Sequence, residues 1–311
     1  MAEKKRVVLA GATGMIGSAV SQRLLERGYE LIVFSRHSVA ARETVPGAAE
    51  YVQWQPEETG AWAPNVDGAF AVINLAGAPF FTKWSGDYRR TVQESRLFGT
   101  RGLVNAMREA KVKPEVFISG SSVGTYGFAG PLDLTLDEDA PAGDDFWGQD
   151  SLVLEREAET AEELGIRVVA IRTGVPLARD AGLLAGQVAQ FRNFFGSWVQ
   201  PGTQWIPWIH LDDEVGLILF ALEQEQVRGP LNGTAPEPQT NRDFYRTLGK
   251  VLHRPCWLGL PQHMIRQFLG EVSITVTRGR RIIPKKALSL GYQFHYSTSE
   301  QALRDLLSSR D

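Results

Sequence analysis

The stretch "RVVLAGATGMIGSAVSQRLLERG", residues 6–28, constrains this chain more than any other. "RVVLA" reads as a short buried strand, and the helical spacing of Ile16, Val20 and Leu24, closed by Gly28, reads as a helix. Between them Gly11, Gly14 and Gly17 recur every third residue. So tight a strand-to-helix turn needs a residue able to take positive φ. A pyrophosphate must approach bare N–H groups at the helix N-terminus, and the last glycine lets helix and strand pack closely. In this setting the pattern points to a dinucleotide site; out of context it is only a tight turn.

The alternation continues. Apolar strands are expected at 30–36, 50–54, 69–77, 115–122 and 166–174, with helices over 85–111 and 150–164. That order predicts an α/β, Rossmann-type doubly wound parallel sheet over residues 1–174. After Gly174 the composition shifts to glycine, proline and tryptophan, as in "FGSWVQPGTQWIPWIHLDD". Helices are expected at 213–223, 241–253 and 299–307. Residues 175–311 therefore read as a smaller mixed lobe, interleaved with the sheet and positioned to bind substrate.

A chain of 311 residues that is 43% hydrophobic has material for a sizeable core. Net charge of −3 and a pI near 6.0 argue against nucleic acid or an anionic membrane as the main partner. The basic N-terminus breaks into glycines at Gly11, unlike a signal peptide, and no window is apolar enough to span a bilayer. One cysteine, Cys256, allows no internal disulfide, so a reducing, cytoplasmic setting is expected. The histidines and this cysteine show no metal-ligand spacing, and no metal is expected.

The end of the second strand selects the nucleotide. NAD sites usually carry an acid there for the ribose 2′-OH. Here "FSRHS" offers Ser35 and Arg36, which suit a 2′-phosphate and favour NADP(H). The fourth strand ends "NLAGAP", where Ala76, Gly77 and Ala78 let the backbone reach a bound dinucleotide.

Together "GATGMIG", "VFSR", "VINLAGAP", "ESRLFGTRGLV", "ISGSSVGTYG", "IRTGVPLA", "WIHLDD" and "GPLNGTAPEPQTNRDF" resemble the extended short-chain dehydrogenase/reductase superfamily. More closely they are similar to its atypical "epimerase family" branch, some members of which carry a cell-division-inhibitor label. The resemblance implies a pyrophosphate held by Gly11, Gly14 and Gly17 with Thr13, Met15 and Ile16 between them, and a 2′-phosphate on Ser35 and Arg36. Leu75, Ala76, Gly77 and Ser119 would complete the dinucleotide contacts. Arg96 in "ESRLFGT" fits an exposed helix charge equally well on sequence alone; the resemblance makes it a cofactor contact. Ser122 matches the family serine that hydrogen-bonds the reacting carbonyl or hydroxyl.

The family's Tyr-x-x-x-Lys pair is missing. In that pair a tyrosine exchanges the substrate proton, and a lysine one turn on lowers its pKa and anchors the ribose. If Glu155 is the glutamate that often follows the lysine by four residues, the two positions hold Trp147 and Ser151. No Tyr, Lys or Arg lies between Asp137 and Glu155, so no small shift repairs the pair. His210 is then a candidate base.

Other patterns compete. "GSSVG" fits the hydrolase elbow G-x-S-x-G, but a turn with proline follows where a helix is needed. In "WIHLDD" Asp212 reads as a helix cap. Among the later aromatics Trp205 and Trp208 are the expected pocket residues. "RGRRIIPKK" reads as a solvated basic face. The expected function is NADP(H)-linked oxidoreduction or epimerisation of an unidentified small molecule; the alternative is an NADP(H)-responsive regulator that binds a protein partner.

Overall fold

A computed structural model describes residues 4–56, 60–79 and 86–308. Seven strands form one parallel sheet: β1 (Arg6–Ala10), β2 (Glu30–Ser35), β3 (Glu50–Gln53), β4 (Ala71–Asn74), β5 (Val116–Ser122), β6 (Arg167–Thr173) and β7 (Gly229–Gly233), in the order 3-2-1-4-5-6-7. The helices that concern the argument are α1 (Met15–Glu26), α2 (Ser38–Thr44), α3 (Gly86–Glu109), α4 (Phe146–Glu159), α5 (Gly182–Arg192), α6 (Leu211–Glu223), α7 (Asn241–Leu252) and α8 (Ser299–Leu307). Ser85, the first residue of the helix expected over 85–111, lies outside the described residues. Among the described residues no helix is long and apolar enough to cross a membrane.

Both faces of the sheet are buried, as the continuous apolar strands require. Val7 and Leu9 face one core, packed by Val20 and Leu24 of α1 and Leu217 and Ile218 of α6. Val8 and Ala10 face the other, packed by Leu103, Val104 and Met107 of α3. A third cluster unites α5, α7 and α8 around Phe191, Trp208, Phe244 and Leu303. Trp208 is fully buried there and donates its indole N–H to the Glu237 carbonyl at 3.2 Å, so it is a core residue and not the pocket residue expected.

β7 has no strand signature: "GPLNG" carries glycine at each end and a proline. It is the edge strand next to β6, where a proline costs no ladder bond on the open side. The chain thus returns from the later lobe to finish the sheet. Arg167 at the start of β6 binds the returning segment, donating to the carbonyls of Ala221, Leu222 and Val227 at 2.7, 3.2 and 2.9 Å. These include C-terminal carbonyls of α6, which lack intrahelical partners.

α4 begins earlier than the expected residue 150. Asp145 caps it, accepting the N–H groups of Gly148 at 3.0 Å and Phe128 at 2.6 Å. Beyond residue 159 the helix tightens into a 3-10 turn, Thr160–Leu164.

Candidate functional site

The order 3-2-1-4 reverses direction at β1, and a crevice opens at the carboxyl ends of the strands on either side of such a point. A cavity of about 300 Å³ lies there. Its walls come from the 11–17 turn, residues 75–78, 120–124 and 173–176, with Thr275, Val276, Arg280 and Ile282 from the later lobe.

The three glycines differ in what they do. Gly11 sits at φ +82°, and a Cβ there would stand 2.5 Å from the Leu75 carbonyl carbon. At Gly17 a Cβ would lie 2.1 Å from the Gly11 oxygen. Both are demanded by the protein's own packing. Gly14 is not: a Cβ would meet only the Gly11 oxygen at 3.5 Å, an ordinary contact. Gly14 caps α1 with no side chain bonded to the helix N-terminus, so the first N–H groups face the cleft bare. That cradle fits a phosphate group.

Ser35 and Arg36 follow directly. β1 and β2 pair with Ala10 level with Phe34, so Ser35 and Arg36 follow at the same end of the sheet as the turn that starts at Gly11. The Ser35 hydroxyl accepts the His37 N–H at 3.2 Å. Arg36 is exposed and holds no ion pair among the described residues. Of the other expected contacts, Met15, Ile16, Leu75, Ala76, Gly77 and Arg96 line the cavity. Thr13 is exposed on the turn outside it, and Ser119 is buried inside β5, one residue short of the lining that starts at Gly120.

Ser122 ends β5 inside the cavity, and its cross-strand neighbour is Thr173 at the end of β6. The Ser122 hydroxyl oxygen accepts the Gly124 N–H at 3.0 Å. A 3-10 turn, Val123–Tyr126, follows in place of the helix a hydrolase elbow needs. Trp147 and Ser151 both line the cavity, one turn apart on α4. Glu155, one turn further, is buried behind it. Arg172 donates to its two oxygens at 2.9 and 2.7 Å, and the Ser121 hydroxyl at 2.6 Å. This bidentate pair fixes the register of α4. Tyr126 is committed to Asn232 at 2.7 Å and Arg172 at 3.0 Å. Burial, against the pull of Arg172, pushes its phenol up to about 12.

His210 lies elsewhere. It is buried, outside the lining, and caps α6: its Nδ1 accepts the Asp212 N–H at 3.0 Å. Its ring stacks on Tyr296 at 3.9 Å and its Nε2 lies 3.4 Å from Asp305. Burial, opposed by the neighbouring aspartates, lowers its pKa. The histidine, not Asp212, is the cap, and it is no base for this cleft. Trp205 lies under the Arg281 guanidinium, 4.9 Å from ring to cation, and is also outside the lining.

Of the lining residues that sequence reasoning missed, four bear on the chemistry. Phe128 packs edge-on to Trp147, with ring centroids 5.8 Å apart. Asp150 accepts from Gln93 at 2.6 Å; burial raises its pKa, opposed by that bond and by the charge of Arg96. Arg280 is 5% exposed, bonds the Ala129 carbonyl and has a buried Nε without a partner. It corrects the solvated reading of its basic run, although Lys285 does stay exposed, paired with Asp137 and Asp139. Thr173 is the fourth. Each reaches the cleft through a contact distant in sequence, which local patterns do not encode.

The model of the NAD dependent epimerase/dehydratase family matches residues 7–232. The chain belongs to the NAD dependent epimerase/dehydratase family. Residues 260–306 match a second model, the domain of unknown function DUF1731. Epimerase family protein YfhF of Bacillus subtilis (strain 168) is 34% identical over 98% of both chains. The SDR39U1 homolog of Arabidopsis thaliana is 35% identical, over 97% of this chain and 86% of its own. The human epimerase family protein SDR39U1, solved with NADPH, superposes at a TM-score of 0.84, with 31% identity over 97% of this chain and 98% of that one. This member of the epimerase/dehydratase family therefore shares the atypical branch's architecture along nearly its full length, with Trp147 and Ser151 lining its cleft where the Tyr-x-x-x-Lys pair is expected.

Proposed function

We propose that the protein is an NADP(H)-dependent oxidoreductase, or an epimerase working through the same cofactor, acting on a small molecule. The observation that carries this reading is the bare cradle at Gly14 beside Arg36 at the end of β2, where an NAD site would place an acid. The NADPH in the solved human relative supports it. When bound, the cofactor supplies or accepts a hydride. The chain's own residues bind and orient: Gly11, Gly14 and Gly17 the pyrophosphate, Ser35 and Arg36 the 2′-phosphate, and Arg96 the remaining negative charge. Ser122 holds the substrate oxygen, while Trp147, Phe128 and Ile282 keep water from that end of the cleft. The substrate end draws on both sides of residue 174, with Ser122, Phe128 and Trp147 before it and Arg280 and Ile282 after it.

An NADPH complex separates an enzyme from the partner-binding regulator: space left beside Ser122 favours the enzyme, a nicotinamide buried under side chains the regulator. Screening NADPH oxidation against a library of carbonyl compounds tests the activity, with Ser122→Ala as control. Arg36→Ala is expected to weaken NADPH about 10–100-fold and NADH hardly at all, because a charged hydrogen bond to phosphate contributes about 1.5–3 kcal/mol. Equal losses for both nucleotides would sink the 2′-phosphate assignment.

A further inference from the structure

Behind the cleft floor lies a carboxyl group with one donor and no cation. Glu214, on the first turn of α6, is 0% exposed. Its Oε1 accepts the Thr173 hydroxyl at 2.6 Å, and its Oε2 is buried without a hydrogen-bond partner. β7 makes room for it: a Cβ on Gly233 would stand 2.3 Å from that oxygen. A carboxylate so poorly solvated favours its neutral form. Burial pushes this one up to about 7, against the hydrogen bond from Thr173. The groups near it are Thr173 from β6 and Tyr292 from the later lobe, neither of them positive, while the adjacent Asp213 carboxylate accepts the N–H groups of His295 and Tyr296. Arg172, adjacent on β6, is taken by Glu155 and Tyr126.

Thr173 connects this acid to the cleft. Its hydroxyl touches Glu214, and the residue lines the cavity in cross-strand register with Ser122. The other acid in the lining, Asp150, has the cation Arg96 nearby to favour its carboxylate.

We infer that Thr173 and Glu214 form the proton relay of this cleft, Thr173 touching the substrate oxygen and Glu214 acting through it as a positioning residue. The inference rests on the NADP(H)-dependent reading above. In reduction the carbonyl carbon gains a hydride and its oxygen forms a bond to the Thr173 hydroxyl proton. The Thr173 hydroxyl, which donates to Glu214 Oε1 at rest, turns to the substrate oxygen, and its O–H bond breaks as the proton of the neutral Glu214 carboxyl, now the donor, passes to Thr173 Oγ1. The products are an alcohol, the oxidised nicotinamide that gave up the hydride, an intact Thr173 and a Glu214 carboxylate. Once the alcohol leaves, water in the cleft returns a proton along the same path. Oxidation is the reverse.

The test compares wild type, Glu214→Gln, Thr173→Val, Thr173→Ser and Asp150→Asn. Wild-type kcat/KM for reduction is expected to fall tenfold per pH unit above about 7, where Glu214 loses its proton. Glu214→Gln and Thr173→Val should each lose about 10²–10⁴-fold in kcat. Glu214→Gln should also lose the pH limb, Thr173→Ser should recover most of the rate, and NADPH affinity should stay within about threefold throughout. Infrared absorption of the protonated carboxyl, followed by pH titration without substrate, should show a group titrating near pH 7 in wild type and higher in Thr173→Val that is absent in Glu214→Gln. A limb that survives Glu214→Gln, or vanishes only in Asp150→Asn, overturns the relay, as does the absence of that carboxyl signal in wild type. If Glu214→Gln does not fold, the Thr173 pair decides: equal rates for Val and Ser overturn it. Failure of wild type to bind NADPH sinks the cofactor reading instead, and the infrared titration still reports on Glu214.

Discussion

Gly14 and Gly17 lie three residues apart in one motif and predict opposite phenotypes. Alanine at Gly17 drives a methyl into the Gly11 carbonyl, 2.1 Å away, and should cost about 3 kcal/mol of stability. Alanine at Gly14 meets no such clash and keeps an extended conformation, so stability should hold within about 1 kcal/mol. NADPH binding should nevertheless fall at least about tenfold, because the methyl occupies the cradle. Thermal melts with NADPH titrations check both, and a Gly14→Ala protein that binds like wild type would refute the cradle. Glu214 makes a pH prediction. Its folded pKa is raised, so its contribution is fully present below the unfolded value near 4.5 and is lost as pH climbs through about 7. Glu214→Gln should therefore gain on wild type between those limits, by up to about 3 kcal/mol, in paired melts at pH 5 and 8. A constant difference would contradict it. At this scale the glycines, Arg36 and Ser122 were legible because strand ends and turns mark them locally. Thr173 and Glu214 are 41 positions apart and meet only in the fold. His210 was misread because its ring nitrogen does the capping that "HLDD" credits to an aspartate.

α4 carries the residues that replace the usual catalytic pair, and one buried ion pair sets its register. Arg172→Met leaves Glu155 buried without its cation and should cost about 3–5 kcal/mol near neutral pH. The loss should be partly repaired by adding Glu155→Gln, which removes the stranded charge. No repair in the double variant would mean that the pair's charge does not hold the helix. The register itself was readable from Glu155 alone. The true start of α4 was not read, because Asp145 caps it from within a polar run that looks like loop. β7 was missed for a related reason: an edge strand of glycine, proline and asparagine is made by its neighbour β6, not by its own side chains.

Across the whole molecule the two halves are one folding unit. Residues 1–174 alone would lack β7, α6 and the carbonyls that bind Arg167, leaving α1 to cover only part of one face of the sheet. That fragment should show no cooperative melt and should bind hydrophobic dyes; a sharp transition would refute this interdependence. The doubly wound order was legible because strand and helix periodicities alternate plainly as far as Thr173. How the later lobe closes the cleft was not, because Arg280 and Ile282 arrive there through tertiary packing.

The return of the chain to β6 also bears on how the protein is made. Ribosomes deliver β6 about 55 residues before its outer partner, a gap of about 3–11 s at ordinary synthesis rates. For that interval the apolar strand "RVVAIRT" offers an open hydrogen-bonding edge to any neighbouring nascent chain. Aggregation during synthesis, more than instability once folded, is then the point at which variants in residues 211–233 would harm the cell.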